Sequence, residues 1–597
     1  MEQKAYSLTP YLLRHKGYYI TGILLLLAVD LSSLYIPQFT GNLIDGLAGG
    51  NFGMEQVRLI LLKILAVGLI MMAGRFGWRY FIVGASRKVE YEMRNDMFRH
   101  LESLSTSYFN THKTGNLMAY FTTDLEAVRM ATGFAVITVF DAVVMTLMVL
   151  GKMILYVDMK LTACAFIPLI LVAIGCYYFN IYMEKCQEQR QDAFSLLSDR
   201  VQESITGIRT VKAFVQEEKD FGEFERISAD NMKKNLAVVK LRAIFGPALD
   251  AVTGISILIA LLIGGKMVLA GEISIGKFVA FNSYIGMLVW PLIACGDCIN
   301  TFSQAAAAFR RIASIFEEKP DIIDKALSEG ELKNIKIQGS IRFHHLTFQY
   351  PDGTEPVLCD LSLDIRQGEM LGILGRTGSG KSSLADLLLR IYDCKEGSLL
   401  IDGKNITEYP LAVLHRDVAY VPQDNFLFSD TLEENIAFGL SERITDRPEL
   451  RKSIRQAAKD ACIHDNIMEF PDEYMTVVGE RGVTLSGGQK QRSSIARALL
   501  MDAPILILDD AMSAVDTDTE EKILENLVSL RKGKTTILIA HRISTLRKAD
   551  HVAVLTDGTL TEYGTHEELL ANKGFYAHIY EKQQLEKGLE EEQNENS

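Results

Sequence analysis

Cysteine is scarce in this 597-residue chain. Eight residues, at 164, 176, 186, 295, 298, 359, 394 and 462, are too scattered to form a disulfide framework, and three of them lie in the polar C-terminal half. Such a distribution predicts reduced, cytosol-facing chemistry. Cys295 and Cys298 have C-x-x-C spacing, but no second pair and no histidine accompanies them inside their apolar run, so packing is expected of them rather than metal or redox chemistry. An excess of basic residues is also missing. With 62 Lys and Arg against 75 Asp and Glu, the net charge of -13 excludes a general nucleic-acid binder, which needs a concentrated basic surface. No small-residue cleavage site follows the first apolar run, so that run is expected to be a retained anchor rather than a signal peptide.

What the chain has in abundance is apolar sequence. Hydrophobic residues make up 48% of it, more than a purely soluble protein of this length carries. Runs long enough for a bilayer, which needs about 20 residues, lie at Gly17–Pro37, Val57–Val83, Phe134–Val157, Leu161–Met183, Ile244–Ala270 and Ile275–Phe302. The second connection carries Arg87, Lys88, Arg94, Arg99, Lys113 and Arg129, and the fourth carries Lys185, Arg190, Arg200, Arg209, Lys212, Lys233 and Lys234. Positive charge marks both connections as cytoplasmic and places both termini on that side. Ser86–Leu104 and Asp192–Leu241 keep helical patterning, so the spans are expected to continue as helices beyond the membrane. The outward connections at Gly41–Glu55, Asp158–Lys160 and Gly271–Ser274 are short loops with no room for an external domain. Hydropathy falls after Arg310. Residues 1–316 therefore read as a membrane domain, 317–338 as a polar linker, 339–583 as one soluble α/β domain and 584–597 as an acidic tail.

The soluble domain contains G-R-T-G-S-G-K-S at Gly375–Ser382, preceded by the apolar strand Met370–Leu374 and followed by a helical pattern over Ser382–Tyr392. That is the context a phosphate-binding loop requires. Gly375, Gly378 and Gly380 let the backbone of Arg376, Thr377 and Ser379 curl around phosphate oxygens, and the helix N-terminus at Ser383 adds its dipole. Lys381 reaches the outer phosphates and Ser382 ligates magnesium. Downstream, the buried strand Ile505–Leu508 ends at Asp509, which is placed to hold magnesium through water.

With L-S-G-G-Q at Leu485–Gln489 and I-L-I-L-D-D at Ile505–Asp510, the residues resemble the ATP-binding cassette family, and specifically its exporter-type half-transporters. The likeness covers nearly the whole chain. It implies a helical transmembrane domain of six spans followed by an α/β nucleotide-binding domain, with ATP and Mg2+ as cofactors. Tyr350 in F-Q-Y-P matches the aromatic that stacks on adenine. Gln423 in V-P-Q-D matches the glutamine that joins magnesium to the membrane domain, Thr476–Gly482 the loop before the signature, Ser513–Asp516 the D-loop, and His541 in A-H-R the switch histidine. By the same likeness Ser486, Gly487, Gly488 and Gln489 face the γ-phosphate held by a partner chain, so one chain does not complete one ATP site. Asn110–Asp124 and Glu203–Glu218 resemble the two coupling segments that dock on nucleotide-binding domains.

One position departs from the family pattern. Asp510 stands where the catalytic residue is usually glutamate, and its carboxylate falls roughly 1 Å short of the attacking water, a displacement that costs on the order of a hundredfold. Together with the intact signature, this predicts a slow ATP site of the chain's own and a non-identical partner half-transporter that carries glutamate; a homodimer with slow turnover is the other reading. Asp30 and Asp297 fall within spans, where carboxylates face an interior or a water-filled cavity. They are candidates for a cavity taking cationic amphiphiles, with Asp141 and Asp250 as weaker ones, and with Tyr284, Trp290 and Phe302 as lining aromatics or as packing residues. The expectation is export of amphipathic compounds from a bacterial plasma membrane. Lipid or peptide export, import on an exporter fold, and an ATP-gated channel or regulatory subunit are the alternatives.

Overall fold

The computed structural model describes residues 6–50, 52–324, 329–395, 397–440, 448–479 and 485–595, without the helix side chains at 169, 171–173, 176–177, 180, 292–293, 295–297, 299, 329 and 587–595. The chain divides into two compact units, Met1–Leu104 with His112–Lys319, and Ser105–Thr111 with Pro320–Ser597.

Among its described residues the first unit is built of helices joined by short turns. Its elements are α1 (Lys16–Ser33), α2 (Tyr35–Ala48), α3 (Met54–Trp78), α4 (Gly84–Ser103), a run over Thr114–Val157, α5 (Met159–Thr206), α6 (Glu217–Leu269) and α7 (Ile275–Glu317). Among the described residues, four helical stretches are long and apolar enough to cross a bilayer: Lys16–Ala48, Met54–Ser103, Thr114–Val157 and Glu217–Leu269. The remaining two apolar runs of the sequence lie within α5 and α7. Side chains at the helix starts satisfy orphan amides: Asp158 accepts from the Leu161 N–H at 3.0 Å and the Ser274 hydroxyl accepts from the Lys277 N–H at 3.2 Å.

Where a loop is expected from Gly41, α2 instead continues as helix to Ala48. The reason is packing against α7. A Cβ on Gly41 would stand 2.5 Å from the Gly276 carbonyl oxygen, so the two backbones touch directly. One turn further on, the Asp45 carboxylate accepts from the Ser274 hydroxyl at 2.5 Å and the Gly276 N–H at 2.6 Å, contacts that only a helical backbone brings into reach. The Thr114–Val157 run interleaves ordinary helical turns with wider π turns, one of which holds Asp124. Asp124 takes both arms of the Arg311 guanidinium from α7, at 2.6 and 2.9 Å.

The second unit is built on two sheets. A six-stranded sheet has the order β10-β9-β3-β8-β7-β6, and a four-stranded antiparallel sheet the order β2 (Leu358–Ile365), β1 (Ile341–Phe348), β4 (Leu399–Ile401), β5 (Lys404–Asn405). The strands that matter for the site are β3 (Met370–Gly375), β6 (Val418–Val421), β7 (Ile505–Asp509), β8 (Thr535–Ile539), β9 (His551–Thr556) and β10 (Thr559–Gly564). β3, β7 and β8 are buried at every residue, as continuous apolar runs in a parallel sheet covered on both faces should be. Three helices frame the site: α8 (Lys381–Leu388), α9 (Gly487–Leu500) and α10 (Phe575–Glu595). α8 is shorter than the pattern Ser382–Tyr392 suggests. It ends because Arg390 turns left-handed at φ 52°, with its guanidinium held by Asp393 at 2.7 Å.

The order β3-β8-β7-β6 brings four chain-distant segments to one edge, since each of these parallel strands delivers its carboxyl end to the same side. Ligands bind at that edge in open parallel sheets.

Candidate active site

β3 runs into the loop at Gly375, and α8 begins six residues later. Gly378 and Gly380 have φ of 85° and 87°, a left-handed backbone that a side chain would strain. Gly375 has no room for a side chain either, since a Cβ there would lie 2.5 Å from the Ser379 hydroxyl. That hydroxyl is buried and has no hydrogen-bond partner within the protein. A buried hydroxyl left without a partner calls for an acceptor from outside the chain. Lys381 spans the loop, its ammonium donating to the Gly375 and Arg376 carbonyls at 2.9 and 2.8 Å. Burial pulls this ammonium below its ordinary range, against the opposing pull of Asp509 and Asp510.

Arg376, Thr377 and Gly378 are exposed along the loop, whereas Ser379, Gly380, Lys381 and Ser383 are buried and Ser382 is again exposed. Asp509 closes β7 at 2% exposure, with the Ser382 and Tyr420 hydroxyls facing its carboxylate. Burial pushes its pKa above the usual carboxylate range; Ser382 opposes this and the charge of Asp510 adds to it. Among the described residues no group of three His, Cys, Asp or Glu forms a protein cage for a metal. One hydroxyl and one carboxylate beside a phosphate-shaped loop are instead the donor set that suits magnesium, which keeps waters and shares ligands with a bound phosphate. The residues therefore fit a magnesium nucleotide.

Asp510 follows in a left-handed conformation, φ 47°, with its N–H donating to the Ile539 carbonyl at 2.9 Å. It shares a cavity of about 90 Å3 with Glu520, His541, Arg542 and Thr545. Asp510 and His541 are thus brought together, one from the end of β7 and one from the end of β8. His541 is exposed, and its carbonyl accepts from the Gln583 amide at 2.8 Å. Gln423 sits just past the end of β6 with its side chain exposed.

Tyr350 is half-buried and held by its neighbours. Its hydroxyl is within hydrogen-bonding distance of Ser383, at 2.8 Å, and donates to Asp386 at 3.2 Å, while Phe348 and Tyr392 pack edge-on against it at 5.0 Å. Burial pushes its pKa up to about 12. Tyr392 in turn accepts from the Asn110 amide at 3.0 Å, the nearby Ser105 and Ser107 hydroxyls both donating to Asp321 at 2.5 Å.

The signature residues form a helix start. Ser486 caps α9 by accepting from the Gln489 N–H at 3.2 Å, and the Gln489 side chain accepts from the Ser486 N–H at 3.0 Å. This reciprocal capping box satisfies the amides of Ser486 and Gln489 and takes no bond from those of Gly487 and Gly488. Gln489, expected to contact nucleotide, uses its side-chain oxygen on this cap. Gln491 joins α9 to the D-loop: its amide donates to the Ser513 hydroxyl at 2.9 Å and its oxygen accepts from the Ala514 N–H at 2.8 Å. Residues 480–482 of the expected loop before the signature lie outside the described residues.

In the membrane unit Asp30 is buried on α1, and its carboxyl group faces that of Asp141. Asp250 is exposed on α6, and the side chain of Asp297 lies outside the described residues. Tyr284 is not a cavity aromatic: it is fully buried and donates to the Leu34 carbonyl at 2.8 Å. Trp290 and Phe302 are exposed.

Residues 19–292 match the family described as ABC transporter transmembrane region, and 358–513 match that described as ABC transporter. The chain is 38% identical over 569 residues, 95% of both sequences, to the probable multidrug resistance ABC transporter ATP-binding/permease protein YheI of Bacillus subtilis. This chain belongs to the ABC exporters.

A relative of similar sequence is the multidrug resistance-like ATP-binding protein MdlA of Escherichia coli, 35% identical and matching 98% of this chain and 97% of its own length. A solved bacterial Atm1-family ABC exporter with ATP bound superposes with a TM-score of 0.75 at 26% identity, covering 95% of this chain and 98% of its own. As an ABC exporter the chain hydrolyses ATP, with Mg2+, to drive transport. Reading the sequence missed Glu520, Gln491 and Gln583. Glu520 and Gln583 are ordinary polar residues outside any motif, and Gln491, two residues past the signature, shows nothing in sequence of its partners in the D-loop; the fold brings each to the site.

Proposed function

We propose that this chain is one half of a heterodimeric exporter that moves amphipathic compounds out across the bacterial plasma membrane by alternating access, with both termini and the nucleotide-binding domain in the cytoplasm. The observation that carries the reading is the pairing of an intact, doubly capped signature at Ser486–Gln489 with an aspartate at position 510. The chain is equipped to complete a partner's ATP site and poorly equipped to run its own.

When bound, magnesium neutralises charge on the outer phosphates as the terminal bond breaks. Lys381 turns its ammonium from the loop carbonyls to those phosphates. Ser379 supplies its unpartnered hydroxyl, Ser382 and Asp509 would hold the ion with Gln423 beside them, and Tyr350 faces the base. Asp510 orients the attacking water and His541 contacts the terminal phosphate, but the short Asp510 side chain leaves that water poorly held. Residues 1–316 form the transmembrane domain with six spans, 317–338 the linker, 339–583 the nucleotide-binding domain and 584–597 the tail. The segment around Ala213 supports a docking role, because Phe214 and Val215 are 71% and 79% exposed at its tip. Asp30 faces the cargo path; the side chain of Asp297, the other candidate, lies outside the described residues.

The test is magnesium-dependent ATPase of the lipid-embedded chain, alone and co-expressed with a half-transporter carrying glutamate at the matching position. Activity that needs the partner supports the heterodimer. Full activity alone means that Asp510 suffices and the chain works as a homodimer.

A further inference from the structure

His541 projects from the loop after β8 with an exposed side chain, so core packing does not aim it. Its direction depends on the backbone of residues 541–543, and that segment is held from two sides. On one side Glu520, 3% exposed, holds the segment through side chains, accepting from the Arg542 guanidinium at 3.0 Å and from the Thr545 hydroxyl. On the other, the Gln583 carboxamide uses both ends, donating to the His541 carbonyl at 2.8 Å and accepting from the Ile543 N–H at 2.9 Å. Gln583 belongs to α10, and the start of that helix is itself fixed. The Glu562 carboxylate accepts from the Phe575 N–H at 2.5 Å and the Tyr576 N–H at 3.3 Å. Tyr576 is fully buried, with its hydroxyl 2.7 Å from His566 Nδ1.

The same anchored end touches the phosphate loop. The Arg376 guanidinium lies over the Phe575 ring, 5.4 Å from its centre. Phe575 and Gln583 are eight residues apart on one helix, roughly 12 Å along its axis at 1.5 Å per residue. α10 therefore bridges the phosphate loop and the histidine loop with a rigid spacer, and each end contacts one of them.

We propose that Gln583 is a positioning residue that aims His541 at the terminal phosphate of ATP, with α10 setting its distance from the phosphate loop. This rests on the reading of His541 given above. It predicts that Gln583 matters for ATP and not for ADP, which lacks the terminal phosphate.

The test measures ATP and ADP separately as competitors of photoactivatable azido-ATP labelling of this chain, in the lipid-embedded protein with its partner. Gln583→Ala should weaken ATP about tenfold and leave ADP within twofold. Gln583→Glu keeps the acceptor for Ile543 but loses the donor to His541, so it should fall between wild type and alanine; it also serves as the variant of choice if alanine fails to fold. His541→Ala separates the two claims. If it lowers the ATP-over-ADP preference while neither Gln583 variant does, the positioning role is overturned. If His541→Ala leaves the preference intact, the reading of His541 fails and takes the proposal with it. Equal loss of ATP and ADP in both Gln583 variants would mark a purely structural contact and also overturn the proposal.

Discussion

Replacing Asp510 by glutamate tests the proposed asymmetry most directly. The added methylene carries the carboxylate roughly 1 Å further, and recovering a displacement of that size is worth up to about a hundredfold in a positioned reaction. Space exists for it, because Asp510 opens onto the cavity of about 90 Å3 that it shares with His541 and Thr545. The backbone works against the change. At φ 47° the residue is left-handed, a conformation aspartate tolerates better than a longer side chain, so the variant should lose about 1 kcal/mol. In a domain of this size that lowers Tm by about 2–4 °C, well short of unfolding. The assay is single-turnover hydrolysis in the assembled transporter, with the partner's phosphate-loop lysine replaced by alanine so that only this chain's site reacts. A rise of tenfold or more supports the geometric account. Undiminished ATP binding with no acceleration would refute it and place the defect in what the partner supplies.

Lys381→Ala removes an ammonium that already sits on the loop carbonyls, and should weaken ATP binding at this chain's site at least tenfold, as measured by nucleotide titration. Gly488→Ala would put a Cβ 2.7 Å from the Ala514 carbonyl oxygen, forcing α9 and the D-loop apart at about 1–3 kcal/mol; hydrolysis at the partner's site should collapse while nucleotide labelling of this chain persists. Asp509 has a folded-state pKa raised by burial, so its stability contribution is intact below the unfolded value near 3.8 and is lost as pH rises through the folded one. Asp509→Asn should therefore raise the nucleotide-free Tm at neutral pH, give no gain below pH 3, and abolish the further Tm increase that Mg2+ adds with ATP.

The parts of the site that the sequence announces are those whose chemistry restricts residue type. A phosphate loop needs glycines where φ is positive, and Gly378 and Gly380 take those values; buried parallel strands need unbroken apolar runs, and β3 and β7 show them. Contacts made by generic polar side chains leave no such trace. Gln583 lies 42 residues from His541 and nothing local distinguishes it from a solvated glutamine, while Gln491, though two residues past the signature, has its partner Ser513 22 residues on. The hydroxyl of Tyr350 was equally unreadable, because its partners Ser383 and Asp386 become neighbours only when α8 packs beside β1 (Ile341–Phe348). Past Gly41, weak helix formers suggest a loop, and contact with Gly276 overrides them. Tyr284 shows the opposite failure: an aromatic on an apolar helix reads equally as wall or core until its partner, the Leu34 carbonyl, is seen.

The meeting of Gly41 with Gly276 limits how the membrane helices can part. Backbone lies on backbone there, and Asp45 clasps the start of α7 beside it, so sliding these two helices would break two polar links and open a gap no side chain fills. At that end α2 and α7 travel as a single leaf. Any outward gate must then swing on the other helices, and a cysteine pair engineered across α2 and α7 should crosslink equally well with and without ATP.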